Sequence, residues 1–359
     1  MTFRVPVADL HAFAAGCLRA AGLDEWQANR AADVLTYSDV RGCTTHGTFT
    51  LSSIYLPRLR DGRIRPDGVT SVVRDTGPCV LVDAGRRLGL VAGTEAVDLA
   101  VARARRFGIG AVGVRDSTHF GSAGFYTTRA AQAGLLGVAT TNCGAQAIAP
   151  PIGGSRRLLG TNPVSAAVPT AGEAPFVLDM STTTVATGKL RAAQLSGKDI
   201  PAGWLQDSGG GDCLDPGAYY RGEADLTWLG GRLETGAAKG FGLGILVEML
   251  AGALTGGSVG PSAGDSDDDI GHFFLVIDPQ AFVGSKEFTS AADALLETIA
   301  DSPAQPGWGP VQYPGLPEAR AYAESAAGGV ALPDHVLTAL DQAATDLGQP
   351  PLSEWGVRA

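Results

Sequence analysis

The chain has 359 residues, of which 45% are hydrophobic and 18% charged, so it is long enough to bury a large core in two or three subdomains. Its formal net charge of −10, without a run of lysines or arginines, argues against a protein that binds nucleic acid or anionic membranes. The 50 glycines and 21 prolines are spread between apolar segments, which is typical of many tight turns and not of disorder. We therefore expect a globular protein whose partner is a small molecule.

The five cysteines are widely spaced, odd in number and without a CxxC pair, which predicts a reducing compartment and no disulfide framework. The first residues lack the uninterrupted apolar stretch of a signal peptide, and no segment reaches the roughly 18 apolar residues of a membrane span. These features predict a cytoplasmic protein. An acidic stretch from Asp265 to Asp269 is interpreted as a solvated loop and not as a metal site.

Two amphipathic helices are predicted at the start of the chain. The first covers Ala8 to Ala20, and the second opens at Asp24. The second helix runs into RGCTTHG (residues 41–47), where two glycines break the pattern. Polar residues are therefore expected at the exit of the second helix, which makes this junction a candidate site.

The chain then alternates between strands and helices. The predicted order is a hairpin (71–84), a helix (93–107), a strand (109–116), a helix (123–134), three strands (135–142, 164–169 and 175–180) and a helix from Thr184. The pattern weakens over residues 201–236, which predicts a surface excursion. Residues 239–257 are apolar on nearly every face and predict a buried helix. A strand at 272–278 and helices at about 287–300, 317–326 and 333–347 are predicted after it.

Two glycine-rich strings resemble nucleotide-binding loops. Residues 108–113 read GIGAVG, but a helix precedes them and a strand follows, the reverse of a Rossmann fingerprint. The glycines of residues 240–244 lie in a helical pattern, so close helix packing explains them. Lys239 is different, because a cation near a helix start can meet a phosphate or a ribose, although a plain surface lysine is the equal alternative.

Histidine occurs five times, and two of the five lie in unusual surroundings. His46 follows a helix among small polar residues, and an imidazole that titrates near neutral pH can exchange a proton with an alcohol. His119 lies at the carboxyl end of a predicted strand, where ligands of open α/β sheets bind. For each, a turn histidine without a catalytic role is the alternative. We interpret His11, His272 and His335 as structural.

Polar clusters follow three predicted strands, at residues 140–143 (TTNC), 160–163 (GTNP) and 178–182 (LDMST). Each cluster alone can be turn chemistry. If the strands are neighbours, the clusters surround one crevice, and we expect a cofactor there. The sequence has no HExxH, GxSxG or paired Cys/His spacing, so neither a metal site nor a serine nucleophile is predicted.

These motifs resemble the malate/L-lactate dehydrogenase-like family, which includes sulfolactate and ureidoglycolate dehydrogenases, diketogulonate reductase and piperideine-carboxylate reductase. The resemblance covers nearly the whole length and rests on six segments in family order: RGCTTHG, STHFGSAGFY, LLGTNP, FVLDMSTTTVATGK, KGFGLGILVEMLAG and GHFFLVIDPQAF. It implies a non-Rossmann α/β fold with helical subdomains and an NAD or NADP cofactor. It also implies a homodimer whose active site lies near the subunit interface.

The resemblance further implies roles for individual residues. His46 matches the acid/base histidine of the family, His119 matches the histidine at the nicotinamide, and Asp179 matches a partner in proton transfer. These three are the predicted catalytic residues. Substrate contacts are predicted at Thr45, Thr50 and Thr161. Cofactor contacts are predicted at His119, Asn142, Cys143, Asp179, Met180, Ser181, Lys239, Pro314, Gly315 and Leu316.

Two positions depart from the family pattern. The family carries an arginine four residues after its catalytic histidine, suited to a bidentate grip on a substrate carboxylate, and this chain has Thr50 there. A carboxylate substrate then loses on the order of a hundredfold in binding, unless Arg58 or Arg157 substitutes. The PGEPE turn of the family is PGLPE at residues 314–318, which removes an acidic residue near the expected cofactor.

We therefore predict an NAD(P)-dependent oxidoreductase that moves a hydride between a nicotinamide and a small carbonyl or imine, or the corresponding alcohol or amine, and not simple malate or lactate. The alternatives are a 2-hydroxy-acid dehydrogenase with a recruited arginine and a catalytically inactive protein that keeps the cofactor fold. Three regions are expected: a mainly helical domain (1–75 and 305–359), an α/β cofactor-binding domain (76–190 and 270–304) and a smaller helical or irregular subdomain (191–269).

Overall fold

The long elements lie where the hydrophobic periodicity predicts them. The computed structural model describes residues 3–172, 174–260 and 269–358. Its elements are β1 (Phe3–Val5), α1 (Val7–Ala20), α2 (Glu25–Val40), α3 (Leu56–Arg60), β2 (Ser71–Asp75), β3 (Cys79–Asp83), α4 (Gly89–Phe107), β4 (Ile109–Ser117), α5 (Ala123–Gln132), β5 (Leu136–Thr141), β6 (Val164–Val168), β7 (Phe176–Met180), α6 (Thr187–Ser196), β8 (Leu205–Asp207), β9 (Asp212–Cys213), α7 (Gly217–Arg221), β10 (Ala224–Leu226), α8 (Ala237–Val247), β11 (Ile270–Ile277), α9 (Ser285–Ala300), α10 (Leu316–Gly328), β12 (Val330–Leu332), α11 (Asp334–Asp346) and β13 (Val357–Arg358). Short π-helical turns at Leu51–Tyr55 and Glu248–Ala253 precede α3 and follow α8.

Seven strands form the central sheet, in the order β2-β3-β4-β11-β5-β6-β7. The neighbours β3 and β4 run parallel, and the other paired strands of this sheet are antiparallel. A Rossmann sheet is mostly parallel because helices connect its successive strands. The prediction of a non-Rossmann α/β fold is therefore confirmed.

Helices cover both faces of this sheet. Helix α4 packs on β4 and β11, and the π-helical turn after α8 packs on the same strands from the other side. A Cβ at Gly110 would overlap the carbonyl group of Ala100 in α4, and a Cβ at Gly113 would press on Thr255 beyond the π-helical turn. Packing thus accounts for Gly110 and Gly113 of the GIGAVG string, and Gly108 ends α4 in the left-handed conformation, with φ 82°.

The two ends of the chain meet in a second sheet. Its strands β12, β1 and β13 are antiparallel, with β1 in the middle. The largest core contains the apolar faces of α1, α2 and α11 and buried residues of the central sheet. Leu10, Leu35 and Leu340 are the contributions of the three helices. The loop after α2 is therefore attached to a rigid part of the fold.

Residues 201–236 are not the surface excursion that the weak pattern predicts. They contain α7 and a three-stranded antiparallel sheet in the order β10-β8-β9. Leu205, Tyr219 and Trp228 belong to a separate core cluster that draws on residues 148–237. Strands of two or three residues are too short to show a period in the sequence, which explains the error.

The apolar segment 239–257 forms the predicted helix, but one of its faces is exposed. Gly240 and Gly244 approach Leu229 and Trp228 closely, so these two glycines serve packing. The opposite face is uncovered, and Leu246 and Met249 are 50% and 56% exposed. The prediction that this helix is buried on every side is therefore wrong for this chain on its own.

The acidic stretch lies mostly outside the described residues, at Asp265 to Asp268. The carboxylate of Asp269 accepts hydrogen bonds from the backbone and hydroxyl of Ser258 and from the backbone of Asp116. It therefore joins the end of β4 to the start of β11. Among the described helices, none has the length and apolarity needed to cross a lipid bilayer.

Candidate active site

A cleft of about 1170 Å³ opens where β7 meets the loop after α2. Helices α5, α6 and α10 contribute the other walls. His46 and Asp179 both line this cleft. Two of the three predicted catalytic side chains, from distant parts of the sequence, therefore face the same space.

His46 ends a 3₁₀ turn that begins at Thr44. The hydroxyl of Thr45 lies 3.1 Å from Nδ1 of His46, within hydrogen-bond distance. Burial lowers the pKa of His46, because the charged imidazolium loses solvation, and the negative charge of Asp179 opposes this shift. The imidazole can thus change its protonation state in response to the carboxylate that shares its cleft.

Asp179 lies in β7 opposite the start of α5. Its Oδ2 atom accepts hydrogen bonds from the Ser122 hydroxyl and the Gly124 N–H, both at 2.7 Å. Asp179 is solvent-exposed in the open cleft, and partial desolvation there raises its pKa, while the bonds from Ser122 and Gly124 and the charge of His46 act against the rise. Asp179 is therefore fixed in orientation and electrically coupled to His46.

The ring of His119 stacks on the ring of His46, with ring centroids 5.9 Å apart and ring planes 11° apart. Burial, together with the charges of His46 and Arg58, lowers the pKa of His119 to about 3, so its ring is neutral at physiological pH. The Gly121 N–H points to Nδ1 at 3.3 Å, and the Tyr55 hydroxyl lies 2.7 Å from the same atom. Because a backbone N–H can only donate, Nδ1 accepts, and Nε2 carries the proton.

Tyr55 belongs to the site, although no sequence motif points to it. It ends the π-helical turn before α3, its side chain is fully buried, and burial raises its pKa well above the usual range. The hydroxyl therefore stays protonated and donates to His119. A lone tyrosine in the string LSSIYL carries no signal of this role.

Six of the other predicted residues line the cleft. They are Thr45, Thr161, Met180, Ser181, Pro314 and Gly315. Thr50 does not line it, since its side chain is 2% exposed and its hydroxyl donates to the Gly47 carbonyl at 2.6 Å. The position that holds an arginine in the family therefore closes a local turn here.

Besides His119, which contacts the cleft through His46, four predicted cofactor residues lie away from the cleft lining: Asn142, Cys143, Lys239 and Leu316. Leu316 is buried against Tyr313 in a small separate cluster. Lys239 is exposed in the first turn of α8. In this chain alone, these four residues do not reach the space that His46 and Asp179 share.

Asn142 instead belongs to a buried polar cluster around Glu248. The Glu248 carboxylate accepts from the side-chain amides of Asn142 at 3.3 Å and Asn162 at 2.9 Å. Burial raises the pKa of Glu248, and these two amides lower it. The three polar clusters at strand ends thus divide. Thr161 and residues 178–181 line the cleft, while the two asparagines face the π-helical turn. A single acid in an otherwise apolar helix was the available signal for Glu248.

The remaining histidines have structural contacts. His272 is buried in β11 and hydrogen-bonds Ser117 and Thr141, and its burial lowers its pKa to about 3. His11 contacts Asp33 on the surface of α1 and α2. His335 packs edge-on against Phe49.

The two candidate substitute arginines differ in position. Arg157 donates to Asp225 and to two backbone carbonyl groups and stacks on Tyr219, so its guanidinium serves the second core. Arg58 is buried in α3, and its charge lowers the pKa of both His119 and Tyr55. Of the two arginines, Arg58 is the one whose charge reaches the histidine pair.

The chemistry of the cleft fits a nicotinamide dinucleotide. Lys189 and Arg41 line it and supply positive charge for a pyrophosphate, Ser181 and Thr184 supply hydroxyls, and Met180 supplies an apolar surface for a ring. When bound, such a cofactor supplies or accepts a hydride. The described residues contain no group of three side chains that could hold a metal ion.

Comparison with known proteins identifies the family. The malate/L-lactate dehydrogenase family profile matches residues 5–341. The malate dehydrogenase of Pyrococcus horikoshii is 36% identical over 307 residues, which are 84% of each chain. The NAD⁺-dependent ureidoglycolate dehydrogenase of Escherichia coli K12 is 29% identical over 335 residues, 91% of this chain and 92% of the relative.

Solved structures agree with the sequence relatives. The crystal structure of malate dehydrogenase from Entamoeba histolytica superimposes with a TM-score of 0.92 at 29% identity, over 98% of this chain and 99% of that one. Relatives named for NAD⁺ and for NADP⁺ both occur. The chain belongs to the malate/L-lactate dehydrogenase family and is an NAD(P)-dependent oxidoreductase, which transfers a hydride between the nicotinamide and a small organic substrate.

Proposed function

We propose that the chain reduces a small carbonyl compound or imine in this cleft, or oxidises the corresponding alcohol or amine, with His46 as the proton donor or acceptor. The observation that carries the proposal is that His46 and Asp179 open into one cleft and that the ring of His119 stacks on the ring of His46. When a carbonyl carbon receives a hydride, its oxygen must gain a proton. His46 is the titratable group placed to provide it, and Asp179 stabilises the charged form of His46.

His119 takes a different part in this proposal. Its neutral ring keeps a proton on Nε2, so it donates a hydrogen bond and does not compete with His46 as an acid. We place it beside the nicotinamide. Asp179, Met180, Ser181, Pro314 and Gly315 form the adjoining cofactor wall, which the cleft lining supports.

The proposed substrate is uncharged at the position where the family resemblance implies a carboxylate held by an arginine. Thr50 is buried and its hydroxyl is engaged by the Gly47 carbonyl, so it offers no charge to an anion. A second candidate function is a 2-hydroxy-acid dehydrogenase in which Arg58 replaces the missing arginine. It is favoured by the charge of Arg58 acting on His119.

Exchange of Thr50 for arginine tests the substrate class. In a panel of 2-oxo acids, neutral ketones and cyclic imines, we expect the wild type to turn over the uncharged compounds with NADH or NADPH. Thr50→Arg should raise kcat/KM for oxaloacetate and pyruvate by about tenfold or more, because a guanidinium binds a carboxylate through two hydrogen bonds. Thr50→Met, similar in length but uncharged, should give no gain.

Two results from the same substrate panel and one binding measurement would contradict the proposal or favour the second candidate. Efficient reduction of oxaloacetate by the wild type would contradict the uncharged substrate, and loss of that activity in Arg58→Ala would establish the second candidate. Failure of the wild type to bind NADH and NADPH would contradict the cleft as the cofactor site.

We also propose that the chain is a homodimer through the exposed face of α8 and the π-helical turn. Gly242, Leu246, Met249 and Ala253 are exposed and follow one another at intervals of three or four residues, so they lie on one side of the helix. A contiguous apolar surface of this kind is typical of a protein interface. The family resemblance implies a dimer with the active site near its interface, and Lys239 lies at the start of this same helix.

A charge on this face should prevent association. We expect Leu246→Asp and Met249→Asp to elute as monomers in size-exclusion chromatography with light scattering, since an unpaired carboxylate buried in an apolar interface is costly. Phe282→Asp is the matched control, because Phe282 is also an exposed apolar residue. A wild-type monomer, or a dimer that survives both substitutions, would contradict this interface.

Finally, we propose a cytoplasmic location. All five cysteines are free thiols, which supports a reducing compartment.

A further inference from the structure

Asp39 is a buried acid that the proposed chemistry does not use. It lies in the last turn of α2, and its side chain is 4% exposed. In the described part of the chain its carboxyl meets no cation, and the hydrogen bond that it accepts comes from the Thr48 N–H. A buried carboxyl without a cation costs stability that an apolar side chain would not. We therefore expect the Asp39 carboxyl to have a role other than packing.

The carboxyl of Asp39 holds the segment that follows His46. Its Oδ2 atom accepts the Thr48 N–H at 2.7 Å. The Gly47 backbone lies against the same carboxyl so closely that a Cβ at residue 47 would overlap it. Gly47 has φ −87° and ψ −158°, angles that other residues adopt readily, so space and not conformation requires the glycine.

His46 is thus held from two sides. On its amino-terminal side the 3₁₀ turn bonds the His46 N–H to the Cys43 carbonyl at 3.1 Å. On its carboxyl-terminal side the next two residues rest on Asp39, which is part of a helix anchored in the largest core. We propose that Asp39 is a positioning residue that sets the place of the His46 imidazole in the cleft. This inference rests on the proposed role of His46 in proton transfer.

The hydrogen bond and not the charge of Asp39 is the property that matters here. Burial raises the pKa of Asp39 to about 7, although the hydrogen bond from the Thr48 N–H opposes the rise, so the group is not fully ionised at neutral pH. An asparagine has the same shape and a carbonyl oxygen that can accept the Thr48 N–H. It should therefore replace the aspartate in this role.

The test compares Asp39→Ala, Asp39→Asn and Gly47→Ala in the full chain. A misplacement of about 1 Å can cost on the order of a hundredfold in rate. We therefore expect Asp39→Ala and Gly47→Ala to lower kcat by about 10- to 100-fold, with the NADH dissociation constant and substrate KM unchanged. Asp39→Asn should restore most of kcat. Ser38→Ala is the matched control, since Ser38 is a buried polar residue on the same helix that bonds only the Val34 carbonyl.

Wild-type kcat in both Asp39→Ala and Gly47→Ala would overturn the inference. A parallel loss of kcat and of NADH binding would also overturn it, because general destabilisation and not placement of His46 would then be the cause. If Asp39→Ala does not fold, Gly47→Ala decides alone, since it disturbs the same contact with the aspartate intact. Failure of the proposed function is seen separately, as wild-type turnover in a His46 variant.

Discussion

Replacement of His46 by asparagine should lower kcat for carbonyl reduction by about 10²- to 10⁴-fold, the usual contribution of a general acid or base. Asparagine keeps a polar group of similar size and can still bond the Thr45 hydroxyl, which lies 3.1 Å from Nδ1 in the native chain. It cannot deliver a proton to the developing alkoxide. The measurement is the steady-state rate of NADH or NADPH oxidation, with cofactor binding followed separately by fluorescence titration.

The dissociation constant of the cofactor should stay unchanged in this variant. His11→Asn is the control for a histidine-to-asparagine exchange, because His11 contacts Asp33 on α1 and α2, outside the cleft lining. Turnover at the wild-type level in His46→Asn would exclude the acid/base role. Weakened cofactor binding with normal kcat would assign His46 to binding and not to proton transfer.

Much of the fold could be predicted because the long elements have clear periods. The alternation in β4, where Val112 and Val114 are buried, and the repeating apolar positions of α1 and α2 gave both the type and the approximate bounds of these elements. The order of strands in the central sheet could not be obtained in this way. β11 is inserted between β4 and β5, although more than 120 residues separate it from either in sequence.

The site was predictable to the extent that its residues had distinctive neighbours. His46 and Asp179 lie beside glycine or among small polar residues, and both line the cleft. Asn142 has the same kind of neighbours but points to Glu248. Which side of a strand end faces a cleft depends on the neighbouring strands, so one sequence cannot distinguish these cases.

Residues that act through the histidines gave no signal at all. Tyr55 and Asp39 lie within helical patterns where a single polar residue is unremarkable. Their partners, His119 and Thr48, are distant or outside the helix. Such pairs become visible only when the packing of the chain is known.

Asp179→Asn should lower kcat for carbonyl reduction by about 10²-fold and should move the pH dependence in a defined direction. Burial lowers the pKa of His46, and the negative charge of Asp179 raises it. Without that charge the pKa of His46 falls further, so the protonated imidazole exists only at lower pH. In the pH–rate profile for carbonyl reduction, the rate falls with rising pH as His46 loses its proton, and this fall should therefore move to lower pH. In the profile for alcohol oxidation, the rate rises as His46 loses its proton, and this rise should move to lower pH as well.

Two variants separate this effect from a general disturbance of the cleft. Ser122→Ala removes one of the two hydrogen bonds to Oδ2 but leaves the carboxylate, so kcat should fall less. Glu318→Gln removes another negative charge from the cleft lining and should not move the fall in reduction rate to lower pH, because the charge of Glu318 acts on Asp179, whose pKa it raises, and the charge of Asp179 acts on His46. An unmoved pH–rate profile in Asp179→Asn, or an equal shift in Glu318→Gln, would show that Asp179 does not control the proton on His46. A shift confined to Asp179→Asn would tie the carboxylate of β7 to proton transfer, since this exchange keeps the size of the side chain and removes its negative charge.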